Sequence, residues 1–474
     1  MQIYADSVEP ADTRAIQTQG LSLDNREAAV GRITWTSTDL GRALAAAAQR
    51  PLAVVLALQL ALSVVLVVLM AVRSPGNVHP DEFSHFEAAR YFRKHWLPPA
   101  VAEPGTESSY SAYGFSYLNE ADIVYWAFGK AAFVGESLGV GTGLAMRSFQ
   151  VLVYAGLVAW VMFHAGRFIP ALGFLLLTPQ LWYVFSYING DALPFALLTV
   201  VLLELASPES GVRRFLNGGT QARPTAGVFV VGALLGLLAL SKRNYLVSFV
   251  FVGWAILWLR SEVRSWQRIA LLASIAAIVA LPWLGYHGWV NNWETEKRAA
   301  DYSELVASPE MKPSAQASAN SFPYRALRTK GASLWHVVVT LPWVGFSFRS
   351  FCGLYGWMNV AADEWVYRVF AVLYAILLAI LVIPTLRRGS PGVVSLLVGA
   401  FVCATLVVAQ SAYRSWVYDF QAQGRYLFPI LPMLFFYWRQ CESPRLRVPA
   451  LAVTALLGTH GLFSFAVIGL GRLT

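Results

Sequence analysis

Long apolar runs alternate with short polar connections over most of this chain, and two longer mixed segments interrupt the alternation. Runs near 52–72, 144–164, 168–187, 191–207, 226–241, 244–260, 268–286, 366–385, 391–410, 425–438 and 447–468 predict membrane-crossing helices. A hydrocarbon core about 30 Å thick needs roughly 20 apolar residues in a helix, so the pattern predicts an all-α, polytopic transmembrane protein with about eleven crossings. The segment 334–343 is apolar but short before Phe348-Arg349-Ser350, which predicts an interfacial or re-entrant helix.

Between the first two runs lies His79-Pro-Asp-Glu-Phe-Ser-His-Phe-Glu-Ala-Ala-Arg-Tyr-Phe92, too polar for hydrocarbon and spaced as a short amphipathic helix. Adjacent carboxylates, Asp81 and Glu82, therefore stand at the mouth of a membrane-embedded body. Residues 1–50 read as a cytosolic, mixed-charge segment that turns into an Ala-rich helix near Asp39, and 51–474 as the membrane domain.

Composition sharpens this picture: 57% of the 474 residues are hydrophobic and 13% charged, which excludes an ordinary soluble domain. The net charge of +9 does not imply nucleic acid. Arg167, Arg213, Arg214, Arg223, Arg260, Arg264, Arg268, Arg387, Arg388, Arg439, Arg445 and Arg447 fall in alternate connections, as positive-inside topology requires. The long connections 73–143 and 287–365 then lie on the extracytoplasmic side. Cys352, Cys403 and Cys441 have neither metal-site spacing nor an even count for disulfides, and no dense acidic ligand motif predicts a metal. The first apolar run begins too far from the start for a cleaved signal.

Chemistry-bearing residues gather on the outer side. Neighbours in a helix diverge by about 100°, so Asp81 and Glu82 face different ways, whereas Asp81 and His85 share a face. Any of the three serves as a proton acceptor if a substrate hydroxyl reaches it, and Asp81 serves equally as a helix cap. Asn189-Gly-Asp191 suits ligand contact or a turn between two helices. Lys242 and Arg243 defy the positive-inside trend; they suit a phosphate clamp, with Tyr245 beside them, or lipid headgroups. Glu294, Glu296 and the Ser321-to-Arg325 stretch either cover an acceptor or form a solvated loop. Arg349 and Trp357, in a Gly- and aromatic-rich stretch, suit a carbohydrate or lipid-phosphate cavity or an interfacial belt. Gln423-Gly-Arg425-Tyr426 places another cation at the same boundary, for phosphate or for lipid.

Pro80-Asp81-Glu82 with His85, Asn189-Gly-Asp191, the Phe351-to-Trp357 stretch and Gln423-Gly-Arg425-Tyr426 resemble a bacterial family of polytopic membrane proteins related in pattern to the GT-C membrane glycosyltransferases. The resemblance covers much of the chain beyond residue 50. It implies an inner-membrane enzyme with an extracytoplasmic site, transferring a sugar from a polyprenyl phosphate to an envelope glycan or lipid, without a cofactor. Asp81 maps to the catalytic acid of the first external loop, with Glu82 adjoining. In that reading Lys242, Arg243, Arg425 and Arg349 meet the donor phosphate, while Asn189, Asp191, Tyr245, Trp357, Gln423 and Tyr426 meet sugar or acceptor. A lipid-linked glycan transporter or a non-catalytic assembly component uses the same groups without bond transfer.

Overall fold

The computed structural model describes residues 37–165, 170–218, 223–259, 266–318, 321–441 and 444–474. Two compact units divide the chain, Met1–Leu44 and Ala45–Thr474; the second holds everything discussed below. Residues 1–36, the greater part of the expected N-terminal segment, lie outside the described residues.

Among the described residues, six helices are long and apolar enough to cross a membrane: Gln49–Arg73, Thr142–Phe163, Trp266–Val290, Glu364–Arg388, Pro391–Val417 and Leu446–Leu473. In chain order the helices are α1 (Ser37–Arg73), α2 (Glu82–Lys94), α3 (Ile123–Ser137), α4 (Thr142–Ala165), α5 (Pro170–Phe174), α6 (Pro179–Val184), α7 (Ala192–Ala206), α8 (Gly211–Asn217) and α9 (Ala226–Ala239). They continue with α10 (Ser248–Trp258), α11 (Trp266–Val290), α12 (Thr295–Val306), α13 (Trp343–Gly353), α14 (Glu364–Arg388), α15 (Pro391–Val417), α16 (Ile430–Gln440) and α17 (Pro444–Phe463). A two-residue hairpin, β1 (Leu354–Tyr355) with β2 (Val360–Ala361), joins α13 to α14.

About six spans, against the expected eleven, are thus long and apolar enough to cross as single helices among the described residues. The 168–187 run becomes two short helices of five and six residues, α5 and α6, whose side chains are buried. Thr178 caps α6 by accepting from the Gln180 amide at 3.1 Å, and Pro179 occupies its first turn. The run at 425–438 yields α16, eleven residues with both Phe435 and Phe436 buried. Helices α9 and α10 have 14 and 11 residues, about 21 and 16 Å at 1.5 Å per residue, short of the hydrocarbon thickness. Helices α7 and α8 make one span only if taken as a pair bent by 49°. Hydropathy alone does not separate lipid-facing helices from helices surrounded by protein. The 334–348 segment also differs: a π-turn at His336–Thr340 stops before Pro342, and α13 then continues through Phe348-Arg349-Ser350.

Helix α7 is almost wholly enclosed, with Phe195, Leu198, Val201 and Leu202 at the centre of the main core. On α11, Ile278 and Leu281 are 72% and 63% exposed, an arrangement that needs lipid around it. Between α9 and α11 the backbones approach closely: a Cβ on Gly236 would stand 2.6 Å from the Ala276 carbonyl.

Contacts order the helix ends. Arg447 donates to Gln49 at 3.2 Å, Gln440 to the Ala206 carbonyl at 3.2 Å, and Arg268 to the Phe215 carbonyl at 2.6 Å. These join the Gln49 turn of α1 to the start of α17, the end of α7 to the end of α16, and α8 to the start of α11. The long connections interlock: Val101 N–H donates to Asn291 at 2.8 Å and Ser308 N–H to the Ala112 carbonyl at 3.0 Å. Residues 324–328 pair with 416–420, Phe420 N–H donating to Tyr324 and Ala326 N–H to Tyr418. A second core, with Ala89, Phe92, Val124 and Phe128, packs α2 onto α3.

Candidate functional site

At the start of α2, the sequence Pro80-Asp81-Glu82 divides its two carboxylates between different tasks. Asp81 occupies the N-cap position in the left-handed region, φ 59°, and makes no side-chain cap bond. A non-glycine residue there is uncommon, and its carboxylate is left free for tertiary contacts. It turns toward Arg425, whose Nη2 donates to Asp81 Oδ2 at 3.2 Å.

Glu82 goes the other way, into the protein. Arg147 grips it with two bonds, Nε to Oε1 at 2.8 Å and Nη2 to Oε2 at 2.7 Å. The same guanidinium donates to the carbonyls of Ala71, Ser74 and Pro75, and Glu82 also accepts from the amides of Asn77 and Ile188. Both side chains are under a tenth exposed. Every strong donor and acceptor has a partner, so this pair ties α1, α2, α4 and the 188 turn together. Both Glu82 oxygens are thus taken up by Arg147 and backbone amides, where the sequence reading named an adjoining base.

His85 is fully buried, stacked on Tyr117 at 4.1 Å, with Nδ1 2.8 Å from the Tyr125 hydroxyl. Burial first, then Lys242 and Arg425, holds its imidazole well below the ordinary histidine value, so it is neutral. Its Nε2 has no hydrogen-bond partner among the described residues.

Arg425 gathers the rest. It sits in a 3-10 turn, Gly424–Leu427, 3% exposed, with Nη1 donating to the Tyr187 hydroxyl at 3.1 Å. Its Nε stands 3.5 Å from Asp191 Oδ2, and Lys242 Nζ donates to that same oxygen at 2.8 Å. Lys242, 20% exposed, also lies 5.1 Å from the centre of the Tyr426 ring. Two cations and two carboxylates thus form one chain, Asp81–Arg425–Asp191–Lys242. A Cβ on Gly190 would stand 3.3 Å from Asp122 Oδ2 and 3.7 Å from Lys242 Cδ, which places Asp122 against the same cluster. Burial pushes the Asp122 carboxyl up to about 8.

The remaining expected residues divide. Asn189 is consumed by its own turn: its amide donates to the Val184 and Tyr187 carbonyls, and its oxygen accepts from the Asp191 N–H at 2.9 Å. Tyr245 is buried with its hydroxyl on the Asp191 carbonyl at 3.2 Å. Both support Asp191 and expose no free group to a ligand. Arg243 pairs with Glu120 at 2.8 Å and Glu296 at 3.4 Å, and Arg349 with Glu364 at 2.7 Å, so neither joins the Asp81 cluster. The Tyr426 hydroxyl is held by Gln421.

A cleft of about 540 Å³ opens above the cluster, and Asp81, Trp357 and Gln423 line it together with Tyr113, Phe322 and Asp419. Trp357, half-exposed, donates to the Asn77 carbonyl at 2.9 Å. Among the described residues no group of three or more metal-ligating side chains is found.

Residues 121–434 match the sequence model of a family described as a predicted membrane protein, DUF2142. The chain belongs to that family. The matched segment contains Asp191, Lys242, Arg425 and Asp419, while Asp81 lies before it. No curated protein and no solved structure matches this chain. Family membership supports a membrane protein, in agreement with the apolar helices, and leaves activity to the site itself.

Arg147, Asp122 and Asp419 were not singled out by the sequence as site residues. Arg147 sits in the second turn of a long apolar helix, where an ionisable side chain is costly unless partnered, and that signal was present. Asp122 and Asp419 carry no such mark, because both fall in polar loops.

Proposed function

We propose that this protein is a membrane glycosyltransferase with Asp81 as its base. The supporting observation is that Asp81 lines the cleft on one side and is fixed by Arg425 on the other. A carboxylate so held is oriented and about 35% exposed, as a general base must be. An acceptor hydroxyl in the cleft gives its proton to Asp81 as its oxygen bonds to the anomeric carbon of a lipid-phosphate sugar. The bond from that carbon to the phosphate oxygen breaks, and the electron pair leaves with the phosphate.

The cations are reassigned in this reading. Arg425 is buried and shared between two carboxylates, so it is a positioning residue for Asp81. Lys242 gives one of its three N–H donors to Asp191 and is the more exposed of the two, so it is the group assigned to the leaving phosphate. The positive-inside rule supports a cytoplasmic side for the arginine-rich helix ends and, with it, an extracytoplasmic cleft.

Mass-spectrometric analysis of purified protein incubated with a panel of polyprenyl-phosphate sugars and envelope acceptors tests the reading. Transfer should occur with one donor and fall about 10²- to 10⁴-fold in Asp81→Asn. Unimpaired transfer by that variant removes Asp81 from the chemistry. Movement of an intact lipid-linked glycan across vesicles, without bond transfer, favours a transporter instead.

A further inference from the structure

The ionisable side chains that line the cleft are Asp81, Asp419, Tyr113 and Tyr324; no Lys, Arg or His is among the described residues that line it. Each carboxylate has a guanidinium nearby, Arg425 for Asp81 and Arg325 for Asp419, and neither guanidinium lines the cleft. Arg325 is held off by the Met311 carbonyl and lies 5.5 Å from the Tyr113 ring centre. A ligand in the cleft therefore meets carboxylate oxygens before it meets a cation.

The walls are aromatic. Trp357, Tyr113 and Phe420 offer ring faces of the kind that pack on the C–H faces of a pyranose, and Gln421 and Gln423 supply amides for hydroxyl groups. Gln421 Nε2 donates to Asp419 Oδ2 at 3.2 Å, which orients that carboxylate. The backbone pairing of 324–328 with 416–420 holds Asp419 opposite the α2 start, on a framework independent of Asp81.

Resting on the transferase reading, we infer that the cleft is an acceptor site for a hydroxylated sugar ring bearing a protonated amino group, with Asp419 as the residue that selects it. An ammonium brings three donors to carboxylates with acceptor capacity to spare, while a uronate or phosphate brings a like charge. Burial pushes the Asp419 carboxyl above its ordinary range, with Gln421 and Arg325 working against it and Asp81 adding to it. Asp81 and Asp419 thus divide the work: one takes the proton, the other chooses the ring.

The test uses the full chain in nanodiscs and three probes at mildly acidic pH: a glucosamine tetrasaccharide, its fully N-acetylated form, and a galacturonate tetrasaccharide. Equilibrium binding is read calorimetrically, with no lipid donor present. The amine-bearing probe should bind about tenfold more tightly than the N-acetylated one, and the galacturonate most weakly. Asp419→Asn should reduce the preference to within about twofold by weakening the amine-bearing probe, with an unshifted thermal unfolding transition showing that the protein is intact; Asp419→Glu should keep the preference. Equal affinities in the unmodified protein, tighter galacturonate binding, or no binding of any probe overturns the inference. Because binding is read without turnover, lost preference with transfer intact sinks this inference alone. Preference retained with no transfer from any donor sinks the transferase reading alone.

Discussion

Arg425 and Asp81, 344 residues apart in sequence, meet at 3.2 Å between Nη2 and Oδ2. The contact joins the turn before α16 to the left-handed residue that starts α2. Through Asp191 it reaches Lys242 as well, so one buried guanidinium bears on where the Asp81 carboxylate points.

Removing that guanidinium should therefore cost stability as well as geometry. Arg425→Ala leaves Asp191, which has no exposure of its own, with Lys242 as its remaining cation in the cluster. Breaking a buried pair typically costs about 3–5 kcal/mol. A fall in thermal unfolding temperature in detergent is expected, with a smaller fall for Arg425→Lys. An unshifted transition in Arg425→Ala would show that the cluster is not a structural joint.

Glu82 and Asp81 should separate by experiment. Glu82→Ala should destabilise the protein by about 3–5 kcal/mol because Arg147 is left buried and unpaired, and lost activity should track lost folded protein. Asp81→Asn should leave the unfolding transition nearly unchanged while activity disappears. A stable, inactive Glu82→Gln would return Glu82 to the chemistry.

A double-mutant cycle on Lys242→Met and Asp191→Asn should give a coupling of about 0.5–3 kcal/mol in unfolding free energy, as for residues in direct contact. Additive effects would mean that the two groups do not hold each other.

Gly424 sits where a Cβ would collide with the backbone of Phe351. Backbone cannot swing aside as a flexible side chain can, so Gly424→Ala should push the Gly424–Leu427 turn off α13 and carry Arg425 with it. A loss of about 1–3 kcal/mol, the usual cost of overpacking, is expected together with reduced activity. Full activity in this variant would show that the close approach is relieved without moving Arg425.

Stability should fall as pH rises across the window set by Asp122. Burial raises its carboxyl from the ordinary 3.8 to about 8, so between those values the unfolded chain has released a proton that the folded chain retains. The folded state binds more protons there, and stability declines with rising pH until it levels off above about 8. Asp122 Oδ1 caps α3 by accepting from the Val124 N–H at 3.0 Å, which Asp122→Asn can keep, so that variant should flatten this slope; unfolding temperatures measured from mildly acidic to mildly alkaline pH would reveal it. An unchanged slope would move the titration to another group.

The membrane class of this protein was legible along the chain, because apolar run length is a local property that a bilayer enforces on each segment separately. Asp81 was also legible, as an acid beside the first span. Its division of labour with Glu82 was not: adjacent residues of one class differ in role only because Arg147 reaches one and Arg425 the other. Likewise 168–187 and 425–438 have the hydropathy of spans, yet the chain surrounds them with its own helices and breaks the first at Thr178-Pro179. Burial by protein and burial by lipid leave the same mark on a sequence. Only packing distinguishes them, and only packing brings Asp419 across to face Asp81.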